Sequence, residues 1–178
     1  MRTRINGRWK IALFVLLALL IALPAAAQQG DSFEEARIGN IAVKWQLQGE
    51  DLRVELSANT TGWVSVGFDP DHQMAGANII IAYVQDGTVH LSDDYGTASF
   101  AHDRDENLGG TNDVTEIDGE EQDGRTTVRF TIPLDSGDEK DKPLSRGNSY
   151  TVLVAHGRNG ADDFSSYHAA RGSFEMEL

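Results

Sequence analysis

A chain of 178 residues suits one domain, and its 28 acidic against 15 basic residues give a net charge of −13. So acidic a surface repels phosphates, which argues against nucleic-acid binding and leaves a basic partner or simple solubility as its use. There is no cysteine, which excludes disulfides, thioether-attached prosthetic groups, iron–sulfur clusters and every thiolate metal site.

The chain opens as an export leader. Arg2, Arg4, Arg8 and Lys10 form a basic start, Ile11 to Leu23 is apolar, and Pro24 is followed by Ala25-Ala26-Ala27, an A-x-A cleavage site. A retained anchor is the alternative, but 13 apolar residues fall short of the roughly 20 that span a bilayer. We therefore expect a signal peptide at 1–27, and a periplasmic or secreted protein without stable membrane insertion. No cysteine follows the small residues, so lipid attachment is excluded. The mature chain carries eleven basic and 28 acidic residues, a net charge of −17.

Residues 28–38 read as a polar lead-in. Alternation at period two then begins: Ile41, Val43, Trp45 and Leu47 share one face, and after the Gly49-Glu50-Asp51 turn Leu52, Val54, Leu56 and Ala58 share another. Trp63 to Phe68 is a third strand. Asn78 to Gln85 is a nearly continuous apolar strand, which suits a central position, and Asp86-Gly87 turns it back into Val89 to Tyr95. Residues 96–124 are polar and rich in Gly and Asp, with a short strand near Val114 to Ile117. Arg125 to Pro133 alternates again, Ser136 to Gly147 is a charged loop, and Tyr150 to His156 and Phe174 to Leu178 are the last strands.

About eight to ten short strands and no long amphipathic helix predict an all-β antiparallel sandwich or barrel over 39–178. With a strand at the end, no fused electron-carrying or catalytic domain is expected.

Few residues can hold a metal or cofactor. Past the leader there are two methionines, Met74 and Met176, and five histidines, His72, His90, His102, His156 and His168. Met74 sits among small residues (Ala75, Gly76, Ala77), where backbone can approach a flat ligand closely, although a lone methionine in a loop is more often a gap-filler. His168 precedes Ala169 and Ala170, with Tyr167 and Arg171 beside it; a lone loop histidine is more often solvated. The Arg171 fork matches carboxylate geometry. Asp103, Asp105 and Asn107 have some look of a calcium loop, but glycine falls one position late and Val114 stands where the EF-hand has Glu, so a solvated loop is the better reading. Asp138, Glu139 and Asp141 read likewise as a solvated turn. No G-x-S-x-G elbow or other triad signature is present.

Several ordered motifs carry a family resemblance: the G-W-x-x-x-G-F strand (Gly62 to Phe68), Met74-Ala-Gly-Ala-Asn78, the apolar strand with its Asp-Gly turn, Ser92-Asp-Asp-Tyr95, TTVRFTIPLD, and Tyr167-His-Ala-Ala-Arg-Gly172. Across nearly the whole mature chain the sequence resembles the DOMON domain family, and in particular the branch similar to the haem b cytochrome domain of cellobiose dehydrogenase. The resemblance implies an immunoglobulin-like β-sandwich with a ligand pocket, expected at one end. It also implies non-covalent haem b held by Met74 and His168 as metal ligands. Trp63, Phe68, Tyr83, Tyr95, Tyr167 and Arg171 are the candidate cofactor-binding residues, with Arg171 toward a propionate. Met/His ligation leaves iron no open position and suits one-electron transfer rather than catalysis, so a non-enzyme with a redox partner protein, basic in charge, is expected. His72, two residues from Met74, and His156 are competing ligands. Other branches are taken to bind sugars or proteins without haem, and a copper site on His72, Met74 and His168 is a third reading.

Overall fold

The computed structural model describes residues 32–178, so the leader expected at 1–27 lies outside the described residues. Among the described residues eleven strands form two antiparallel sheets packed as a β-sandwich. One sheet has the order β1 (Glu34–Ile38), β2 (Ile41–Gln48), β3 (Asp51–Ala58), β9 (Arg125–Pro133), β8 (Thr115–Gln122). The other runs β11 (Ala170–Glu177), β10 (Ser149–His156), β4 (Val64–Phe68), β5 (Asn78–Gln85), β6 (Thr88–Ala98), β7 (Ala101–Arg104). Among the described residues no helix is long and apolar enough to cross a membrane.

Period-two alternation delivers one face of each strand to a common core. Val54 and Leu56 of β3, Val128 and Phe130 of β9, Val64 and Val66 of β4, and Val152 of β10 are all buried there. Trp45 closes one edge against Phe174, ring centroids 5.6 Å apart. β4 and most of β5 are buried on both faces, the inner by the core and the outer beneath the loops that follow β4 and precede β11. Asp86-Gly87 and Asp123-Gly124 each hold both residues at positive φ, the backbone that two-residue hairpins require.

Three strands depart from the sequence reading. β1 lies inside the expected polar lead-in and pairs along its length with β2. β7 is a four-residue edge strand whose pairing to β6 shifts register. β8 extends to Gln122 although its side chains are mostly exposed and charged. It is an edge strand with no apolar face to reveal it, held across β9 by Arg129, which pairs with Asp118 at 3.3 Å.

Candidate functional site

On the outer face of the six-stranded sheet lies a cavity of about 590 Å³, rather than a pocket at one end of the sandwich. Its position follows from strand parity. Val64, Val66 and Phe68 point to the core, so Ser65 and Gly67 point outward; likewise Ile80 and Ala82 point inward, and Ile79 and Ile81 outward. Leu153 and Ala155 of β10 and Arg171 and Ser173 of β11 extend this floor. Gly67 keeps it hollow, since a Cβ there would already reach 3.3 Å from the Ile79 side chain.

Two loops wall the cavity from the two ends of β4. The segment following Phe68 brings Gln73 and Met74. Its backbone folds on itself, with Asp71 N–H donating to Ala75 O (2.8 Å) and Ala77 N–H to Met74 O (3.1 Å), and is stitched to β6 by Gly76 N–H to Gly96 O (2.8 Å) and Gly96 N–H to Ala77 O (2.9 Å). Lys142 holds it from outside through Asp69 O and Asp71 Oδ1, each at 2.7 Å. The other wall, Phe164 to His168, precedes β11 at the level of Val64. Asp163 accepts from the amides of Ser165 (2.7 Å) and Ser166 (2.6 Å), and Trp63 Nε1 donates to Ser166 Oγ at 2.9 Å. Met74 and His168, 94 residues apart in the chain, thus line one cavity.

Of the other candidates, Trp63, Tyr167 and Arg171 line it too. Trp63 is buried, whereas Tyr167 and Arg171 are exposed at the rim. Phe68, Tyr83 and Tyr95 do not line it. Phe68 has the inward parity of Val64 and Val66 and belongs to the core. Tyr95 shares the inner face of β6, with the Lys140 ammonium 5.5 Å from its ring centroid. Tyr83 faces outward but farther along β5, stacked on His90 at 4.8 Å and packed against Phe164 at 5.0 Å, so it buttresses the wall from behind.

The competing histidines fall elsewhere. His72 is exposed and outside the cavity lining. His156 is buried with both ring nitrogens engaged: Nδ1 donates to Gly157 O at 2.7 Å, and Nε2 meets the Asn40 amide at 3.0 Å. The lining histidine that sequence reasoning missed is His102 of β7, half-buried, its Nδ1 2.5 Å from Asp94 Oδ2. Ser92 Oγ donates to the other Asp94 oxygen. The signal was present in Ser92-Asp-Asp-Tyr95: in a strand, Ser92 and Asp94 must share a face.

The two acidic runs are not wholly solvated either. Asp103 is exposed and locally satisfied by Asn107 Nδ2 (2.8 Å) and Arg104 N–H (2.8 Å). Asp105 is fully buried, however, Asp93 and Asp141 are buried too, and the three carboxylates converge on the inner side of β6. Burial, reinforced by the Asp141 charge, pushes Asp93 up to about 8; burial and Asp141 likewise raise Asp105 to about 7. Asp141 is raised to about 6, again chiefly by burial.

Trp63→Phe keeps a ring in the floor and removes the donor to Ser166. Losing one such bond costs about 1 kcal/mol, and the amides of 163–169 are expected to exchange roughly fivefold faster. Hydrogen exchange measures this; unchanged protection there contradicts the tether.

Comparison with known proteins identifies the fold and the family. The chain is 29% identical over 171 residues to mouse (Mus musculus) DBH-like monooxygenase protein 1, covering 93% of this chain but 27% of that protein. It thus spans about a quarter of that relative's length. Two solved structures share the fold. The cytochrome b domain of pyranose dehydrogenase from Coprinopsis cinerea superposes with a TM-score of 0.59 at 9% identity, covering 81% of this chain and 80% of that one. The cytochrome domain of Myriococcum thermophilum cellobiose dehydrogenase gives 0.58 at 11% identity, covering 82% and 81%. Residues 37–157 match the family model of the DOMON domain, a span that ends before His168. The chain belongs to the DOMON domain family.

Proposed function

We propose that the outer-face cavity holds a b-type haem, whose iron Met74 and His168 would hold, and that the protein is an exported one-electron carrier rather than an enzyme. The observation that carries this reading is that the only two residues assigned as ligands from the sequence motifs line a single cavity. Its volume, about 590 Å³, lies within the roughly 300–1,000 Å³ usual for cofactor pockets. The residues fit the group: an apolar floor of Ile79, Ile81 and Leu153 for a macrocycle, a thioether and an imidazole on separate walls, and an arginine at the rim for a propionate. The cytochrome b domains that share the fold support the same reading.

Held by a thioether and an imidazole, the haem would supply reversible one-electron exchange. The chain's own residues do the rest. The Met74 loop, stitched to β6, and the 163–168 wall, tied by Trp63, hold the two donors in place and spare them reorganisation. The Ile79–Ile81 floor excludes water. The exposed rim at Tyr167 leaves a short path to a docking protein, for which the acidic charge selects a basic face.

Protein expressed into an oxidising compartment with haem supplied is expected to be red, with a Soret band and sharp α and β bands on dithionite reduction. Met74→Ala and His168→Ala each convert it to a high-spin spectrum, and His102→Ala does not. Colourless protein, or low-spin spectra retained in both ligand variants, overturns the assignment.

A further inference from the structure

Three segments distant in sequence bring carboxylates to one buried point: Asp93 from β6, Asp105 from the turn after β7, and Asp141 from the loop between β9 and β10. One oxygen from each lies within 4.8 Å of the others. Asp105 is 0% exposed, and neither of its oxygens has a hydrogen-bond partner. Asp93 Oδ1 and Asp141 Oδ1 are equally unpartnered. Their second oxygens are held away: Asp113 N–H donates to Asp93 Oδ2 at 3.1 Å, and Ser136 Oγ to Asp141 Oδ2 at 3.0 Å. Asn78 Oδ1, also buried and unpartnered, projects from the same inner face of the sheet, since Asn78 pairs with Tyr95 as Ile80 pairs with Asp93. Buried carboxylate oxygens are costly to leave bare. Lys140 lies near enough for its charge to act on Asp105, but it donates no hydrogen bond to the three carboxylates, and its ammonium sits 5.5 Å from the Tyr95 ring centroid.

We propose that Asp93, Asp105 and Asp141 bind a calcium ion. The donors are oxygen only, without the imidazole or thiolate that zinc and copper prefer. Calcium takes several protein carboxylates at once, whereas magnesium usually keeps its waters and is bound through one or two carboxylates; three buried carboxylates with an oxygen each inside 4.8 Å of the others suit calcium. The ion fastens the turn at 105–108 and the 134–148 loop onto β6. It also braces the cavity wall, because Lys142, next to Asp141, grips the Met74 loop at Asp69 and Asp71. The site does not depend on haem, since it lies on the opposite face of β6 from Asp94 and His102.

The full mature chain is stripped with EDTA and its thermal unfolding followed with added calcium chloride. At calcium a hundredfold above its dissociation constant, the midpoint is expected to rise by roughly 5–10 °C, with a smaller rise for magnesium. Asp105→Asn and, as a second variant, Asp141→Asn lose that rise while keeping a cooperative transition in EDTA. No rise in the parent, a rise retained in both variants, or a larger rise with magnesium overturns the proposal. Because unfolding is read without reference to colour, failure here is distinct from failure to bind haem.

Discussion

Gly96→Ala is expected to destabilise the protein by about 3 kcal/mol, the upper end for overpacking, and to expel the Met74 loop from β6. Gly96 has no positive φ, so alanine suits its backbone; what forbids a side chain is space. A Cβ there would penetrate the Met74 carbonyl oxygen and sit 2.7 Å from the carbonyl carbon and 3.2 Å from Ala77 N. These are backbone atoms, which no rotamer change can move. Relief requires the loop to lift, and lifting it breaks the pair of bonds between Gly96 and residues 76 and 77. For a domain of this size the unfolding midpoint drops roughly 6–12 °C. Lifting the loop would carry the proposed ligand Met74 away while His168, on the other wall, stays in place. A midpoint within 2 °C of the parent, by calorimetry, contradicts the close approach.

In protein freed of divalent cations, stability is expected to fall as pH rises from about 5 to 8, the reverse of the usual behaviour of paired carboxylates. Burial raises Asp93 to about 8, Asp105 to about 7 and Asp141 to about 6. Asp113, Asp138 and Asp94 add repulsion around them, against which Lys140 acts on Asp105. A carboxyl that titrates higher when folded holds a proton that the unfolded chain has released near pH 4, so its contribution is present at low pH and disappears through its folded pKa. Each tenfold in proton affinity is worth about 1.4 kcal/mol, and three such groups change stability by several kcal/mol. Glu55 works in the opposite sense: burial opposes its charge, but Lys44 and Arg129 outweigh it and lower its pKa, so its contribution is lost only in more acid solution. Urea midpoints in EDTA at pH 5.5 and 8.0 measure the slope; a higher midpoint at pH 8.0 contradicts it.

How legible the molecule was follows from what each residue type reveals on its own. Strands with one apolar face, such as β2, β3 and β9, declared themselves by alternation, and the two-sheet architecture came with them. β8 showed only its start, the short strand expected near Val114 to Ile117, because an edge strand wet on both sides carries no hydrophobic period. Motifs pointed to Met74 and His168, which line one cavity, but the aromatic candidates required parity and register. Phe68 and Tyr95 turn inward, and Tyr83 lies one step too far along β5. Two members of the buried triad were hidden by exposed charge close in sequence: Asp103 near Asp105, Glu139 near Asp141. One clue was available, since consecutive Asp93 and Asp94 in a strand cannot both face solvent when both faces of the sheet are covered.

Placing the cavity on the outer side of the six-stranded sheet divides the labour of each strand between odd and even positions. In β4, Val64 and Val66 serve the core while Ser65 and Gly67 serve the cavity; in β5, Ile80 and Ala82 are set against Ile79 and Ile81. Natural variation or engineering can therefore exchange the ligand by rewriting alternate residues, leaving the interleaved set that specifies the fold untouched. One scaffold can in this way carry different cargoes without being reinvented for each.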